Sequence, residues 1–123
     1  MSFEGTLNVD GTAYNIIWML LRIMRNENDR GQPSSRPGWG LSLSLDAMDD
    51  SAIKNWMIDP HMQKDGKVIL SRIDESATFK EIEFKKAYCI NYQDEFFADM
   101  DYLNTTIYIV GGELTINKAT LRV

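Results

Sequence analysis

The chain has 123 residues, of which 44% are hydrophobic and 25% charged, an ordinary globular composition at the size of one domain. Its net charge of -5 speaks against nucleic acid as a partner, because neutralising phosphates takes a basic face, and the only basic clusters are the pairs Arg22/Arg25 and Lys85/Lys86. One cysteine, Cys89, excludes an intrachain disulfide, and the longest apolar run, Ile16 to Leu21, is far short of the ~20 residues of a membrane-spanning helix.

In chain order, Phe3, Leu7 and Val9 alternate with Glu4, Thr6 and Asn8, and Asp10-Gly11 follows. Asp-Gly between two apolar runs predicts a hairpin, because both central residues of a type I′ turn need positive φ. The first strands therefore span about 2–9 and 12–25. The second is apolar on both faces: Ile17, Met19, Leu21 and Ile23 on one, Tyr14, Ile16, Trp18, Leu20 and Met24 on the other. Such a strand must be covered on both faces, by the fold or by a partner.

Residues 26–40 hold Asn, Asp, Gly, Ser, Pro33 and Pro37 without apolar periodicity, which predicts a long exposed loop. Loops of this length are usually functional or disordered. Trp39, Leu41, Leu43, Leu45 and Ala47 then alternate with small polar residues in a half-buried strand. Asp49, Asp50 and Ser51 are N-cap candidates. Ala52, Ile53, Trp56 and Met57 follow at helical spacing, and Pro60 stops the helix, predicted over 51–58. Asp65-Gly66 reads as a turn before a strand over 67–73. The run from Phe79 to Gln93 alternates except at Lys86, where a bulge is expected. Residues 104–110 and 113–121 form the last strands, joined at Gly111-Gly112 by a tight turn or a bend in one continued strand. The sum is a single domain over 1–123: a mainly β barrel of about seven strands, two sheets packed together, with one short flanking helix.

Constellations for chemistry are scarce. His61 is the only histidine, so no His pair can bind zinc. Asp59 stands two residues from it, and Cys89 has no histidine nearby in sequence. Glu81 and Glu83 alternate on one strand face, as a solvated face does. Asp46, Asp49 and Asp50 lack the pattern of a calcium loop, and no Lys-Ser/Thr follows Gly111-Gly112 as in a phosphate loop. No enzyme activity, cofactor or metal is expected.

Several pieces together resemble the haemolysin-coregulated protein family, the inner-tube proteins of the type VI secretion system, in its Bacteroidetes branch. They are Met1-Ser-Phe-x-x-x-Leu-x-Val-Asp10-Gly11-x-x-Tyr14, Gly31-Gln32-Pro33-Ser34-Ser35 led by Asp29 and Arg30, Trp56-Met57, Asp65-Gly66-Lys67-Val68, and Lys80 to Tyr88. The resemblance spans nearly the whole chain. It implies a barrel whose copies form rings, most commonly of six, that stack into a tube. A contractile sheath drives that tube into a neighbouring cell, with a spike and with effector proteins as cargo. It implies that the loop Asp29, Arg30, Gly31, Gln32, Pro33, Ser34, Ser35 takes part in ring stacking. The chain departs from the branch at Trp18, Leu20 and Met24, in the stretch 97–104, and in a tail without the terminal tryptophan.

The expected function is thus a self-assembling tube subunit. It would be made in the cytoplasm without a signal peptide (Met1 to Asp10 has neither a basic start nor an apolar core) and secreted without inserting into a membrane. Trp18, Leu20 and Met24 are its candidate subunit contacts. The alternative is a monomeric barrel that binds an apolar ligand or protein partner, which requires an enclosed cavity lined by Trp18, Leu20 or Tyr88. A small enzyme using His61 with Asp59, or Cys89, would need a positioned partner group that the sequence does not supply.

Overall fold

The computed structural model describes residues 3–25, 30–32, 38–46, 51–73, 78–100, 102–117 and 119–122. The elements are β1 (Phe3–Val9), β2 (Thr12–Met24), β3 (Gly38–Asp46), α1 (Ser51–Ile58), β4 (Lys64–Arg72), β5 (Thr78–Phe97), β6 (Tyr102–Ile116) and β7 (Ala119–Arg122). A 3-10 turn at Ala98–Met100 links β5 to β6.

Neighbouring strands run antiparallel in the order β3-β2-β1-β4-β5-β6, and β6 returns to pair with β3. The expected pair of packed sheets is therefore the two sides of one sheet that closes on itself, a six-stranded barrel. β6 outruns β3, and β7 pairs with its remaining length, from Glu113 to Ile116. Closure suits the sequence, because alternation leaves every strand one apolar face to bury. Leu41, Leu43 and Leu45 of β3, Leu7 of β1, Val68 of β4 and Ile109 of β6 are completely buried. Burying such side chains stabilises by about 1.5–3 kcal/mol each.

Asp10 and Gly11 have φ of 53° and 74°, as the expected type I′ hairpin requires. The helix occupies the predicted residues, with Ile53 and Trp56 buried. Trp56 stacks on Phe84 at 6.1 Å between ring centres, and its indole N–H donates to the Ala87 carbonyl at 3.1 Å. That bond satisfies the one polar atom the indole takes into the core. Trp39 solves the same problem by donating to the Gly112 carbonyl at 3.1 Å. The helix N-cap candidates Asp49 and Asp50 lie outside the described residues.

Bulges reset which side chains face inward. Pairing of β2 with β3 passes from Ile16↔Leu45 to Trp18↔Ser44, one extra residue on β2. Tyr14 is buried and Ile16, Met19 and Leu21 pack against the core, whereas Ile17, Trp18, Leu20, Ile23 and Met24 are exposed. Strict alternation had divided these residues differently. A bulge flips every side chain beyond it to the other face.

The bulge expected near Lys86 is present. β5 runs from Phe84 to Ala87 while β4 runs only from Gly66 to Lys64, and Lys86 has φ of 55°. Asp65 accepts the Lys86 backbone N–H at 2.9 Å. Asp65-Gly66 is thus not a turn but part of β4, opposite the bulge. Gly111-Gly112 is a bend in one continued strand, not a turn. A Cβ at Gly112 would lie 2.3 Å from the Lys85 carbonyl oxygen, and Gly111 has φ of 138°. Only glycine lets β6 pass so close to the bulged backbone. A further shift between Cys89 and Asn91 leaves Ile90 exposed.

Candidate assembly surface

β1 and β2 separate after the pair Gly5↔Ile16. Beyond that point β2 stays paired with β3 as far as Met24↔Gly38. Among the described residues no strand pairs with its other edge. This open edge carries apolar side chains: Trp18 is 49% exposed, Leu20 41% and Met24 64%. The neighbouring outward positions on β3 are serines, since Trp18 pairs with Ser44 and Leu20 with Ser42.

An open hollow of about 360 Å³ lies where β1 and β2 part, lined among others by Phe3, Ile17, Trp18 and Leu70. A second, of about 400 Å³, lies between the end of α1 and β5, beside Tyr88 and Cys89. Both open to solvent, unlike the enclosed cavity that a barrel for an apolar ligand requires.

Of the loop, Arg30, Gly31 and Gln32 are exposed, and Gly31 has φ of 75°. Asp29, Pro33, Ser34 and Ser35 lie outside the described residues. Arg22 and Arg25 flank Met24 and are exposed as well.

The structure adds a surface that sequence reasoning missed. β5 and β6 continue past the barrel as an arm, with Phe96 paired to Leu103. Phe96, Phe97 and Leu103 are exposed, Phe96 by 67%. At its root Asp94 accepts hydrogen bonds from the Thr105 hydroxyl at 2.6 Å and the Tyr92 hydroxyl at 3.1 Å. Burial, and then the Asp94 carboxylate, raise the Tyr92 phenol above its ordinary pKa. Asn104 donates to the Ser44 hydroxyl and so ties the arm to β3. The available signal was Phe96-Phe97 directly after two acidic residues, but the alternation that defines a strand stops at Gln93.

Of the remaining candidates, Asp59 and Cys89 both line the second hollow. The Asp59 carboxylate accepts the backbone N–H of His61 at 2.9 Å, a local turn bond at the helix end. The Cys89 thiol is 4% exposed, donates to the Asn91 carbonyl at 3.4 Å, and is pushed by burial to a pKa of about 11. That keeps it protonated at neutral pH. Lys67 bridges Glu81 at 3.0 Å and Glu83 at 3.6 Å on the outer face. Its ammonium lowers the Glu81 pKa, chiefly through their hydrogen bond. Among the described residues no group of His, Cys, Asp and Glu is placed to hold a metal ion, and no helix is long and apolar enough to cross a membrane.

A closed antiparallel barrel with one short flanking helix and an overhanging apolar strand has the fold of Hcp proteins. The solved structure of Hcp1 from Flavobacterium johnsoniae matches with a TM-score of 0.85 at 22% identity, over 98% of this chain and 99% of that one. Hcp1 from Salmonella typhimurium matches at 0.71 and 10% identity, over 98% and 92%. The sheath/tube terminator of the PVC extracellular contractile injection system matches at 0.69 and 11% identity, over 92% of each chain. No curated protein matches the chain. The family model described as hemolysin coregulated protein Hcp (TssD) matches residues 1–122, and the chain belongs to that family.

Proposed function

We propose that the protein is a structural, non-enzymatic subunit of a type VI secretion inner tube. Copies close into rings of six, and the rings stack into a tube whose lumen carries effector cargo. The chain is made in the cytoplasm and leaves it as part of the expelled tube. Sheath and spike proteins are its partners beside itself.

The observation that carries this is the open, apolar edge of β2. Trp18 and Leu20 remain 49% and 41% exposed in the isolated protomer, on a strand whose backbone has a free side among the described residues. The bulge at Ile16–Trp18 lies at the start of this edge and Arg22 towards its end, which leaves the apolar stretch from Trp18 to Leu21 to pair with another chain. A heterologous contact between copies closes into a ring when the rotation per subunit divides a full turn. Membership of the Hcp family supports the same conclusion, as does the shared fold of a tube terminator from a contractile injection system. The loop from Asp29 to Ser35 would engage the next ring.

Size-exclusion chromatography with light scattering tests this. The expected particle has six times the 14.1 kDa mass of one chain, and negative-stain images show rings. A strict monomer in concentrated solution would overturn the proposal.

A further inference from the structure

β3 runs between two ends of opposite chemistry. Its first residue, Gly38, pairs with Met24 at the end of β2, and its last, Asp46, pairs with Asn104 at the root of the β5–β6 arm. Nine residues of strand place these ends about 26 Å apart at the usual rise. The arm end is acidic and aromatic. Among its described residues Asp94, Glu95 and Asp99 are exposed, and none is lysine or arginine. Phe96, Phe97 and Leu103 are exposed among them. The β2 end is basic and apolar. Arg22 and Arg25 are exposed and flank the exposed Ile23 and Met24.

Exposed apolar side chains rimmed by charge are the composition of an interface. Arginine suits the opposing surface, because guanidinium pairs with carboxylates and stacks on aromatic faces. One chain supplies both surfaces, and the length of β3 prevents them from meeting within it. We propose that the acidic aromatic tip of the β5–β6 arm of one copy seats on the Arg22–Arg25 end of β2 in another copy, as the head-to-tail contact between successive rings. Because the two patches differ and lie at opposite ends, the contact repeats without closing on itself and gives the stack a direction. It rests on the tube function proposed above, and it supplies the surface that meets the loop-bearing end.

Crosslinking reads the contact directly. Asp99→Cys protein is mixed with Arg25→Cys protein and treated with a short bismaleimide; the native Cys89 is buried and stays silent. Mixed dimers should form in clear excess over homotypic ones. Equal or predominantly Asp99→Cys homodimers would replace the proposal with a tip-to-tip contact. No crosslink in either combination would overturn it and assign the arm to another protein.

Charge reversal provides the second test. Glu95→Arg/Asp99→Arg, and separately Arg22→Glu/Arg25→Glu, should leave ring mass unchanged but raise the concentration needed for stacks at least about tenfold, as like-charge juxtaposition does. Mixing the two reversed proteins should restore stacking. Ring formation with wild-type stacking by the arm variant sinks this contact alone. Failure of the wild-type protein to form rings sinks the tube function, and the crosslink then still decides whether tip and β2 end meet.

Discussion

β2 and β3 lie side by side in register and look alike from inside the barrel. Leu21 faces Leu41 and Met19 faces Leu43, and all four pack in or against the core. On the other face they differ. β3 carries Ser42 and the buried Ser44, which is hydrogen-bonded to Asn104, where β2 exposes Leu20 and Trp18. The protomer accounts for every apolar residue of β3 and leaves Ile17, Trp18, Leu20, Ile23 and Met24 of β2 in water. One strand was shaped by the needs of its own fold, and its neighbour by those of an assembly as well.

The comparison breaks first at the core. Leu43 is completely buried, so Leu43→Ala should cost about 2–5 kcal/mol of protomer stability, read from urea denaturation. A loss below about 1 kcal/mol would mean that the site tolerates a cavity as a surface position does. Cys89 probes the same interior from β5. A pKa of about 11 in place of 9.0 leaves about a hundredfold less thiolate at pH 8, and burial slows attack further. Labelling of the folded protein should therefore lag that of the urea-unfolded chain at least a hundredfold; equal rates would place the thiol outside. As a thiol raised on folding, it should also make stability decline once pH climbs past 9, where only the unfolded chain ionises.

Leu20→Ser sharpens the contrast. In dilute, monomeric solution it should change stability by no more than about 0.5 kcal/mol, while ring formation weakens. A loss as large as that of Leu43→Ala would show that the protomer itself covers Leu20. The smallest effect belongs to the exposed Lys67–Glu81 pair. Glu81 is lowered from 4.5, so its support is present above that pH and lost as the pH falls through its folded value. Lys67 is raised from 10.5, so its share is present below that pH and lost as the pH rises through its folded value. Lys67→Met should flatten the acid side of the stability profile slightly, and added salt should mute the difference.

Much of the fold was legible where chemistry is local. Asp10-Gly11 fixes its turn by φ, Pro60 ends the helix, and Leu41, Leu43 and Leu45 declare their face by alternation. The Lys86 bulge was readable because a charge interrupts an apolar row. The bulge at Ile16–Trp18 was not, because every residue around it is apolar and a shift of face leaves no mark in the pattern. Asp65-Gly66 and Gly111-Gly112 carry turn-forming residues but serve a bulge and a strand crossing it, a constraint set by partners about 20 or more residues away in sequence. Trp18, Leu20 and Met24 stand out in the sequence as surplus apolar residues, and the structure leaves them exposed. The arm leaves no alternating pattern in the sequence because a pair of strands beyond the barrel has no inward face to impose it.

The flank of β2 that pairs with no strand among the described residues has a consequence for proton traffic. Along a strand hydrogen-bonded on one side only, alternate amide hydrogens face away from the neighbour. In a lone protomer those between Ile17 and Met24 should trade with deuterium far faster than the amides of β3, however stable the barrel is. Their sudden slowing would time the arrival of the next copy.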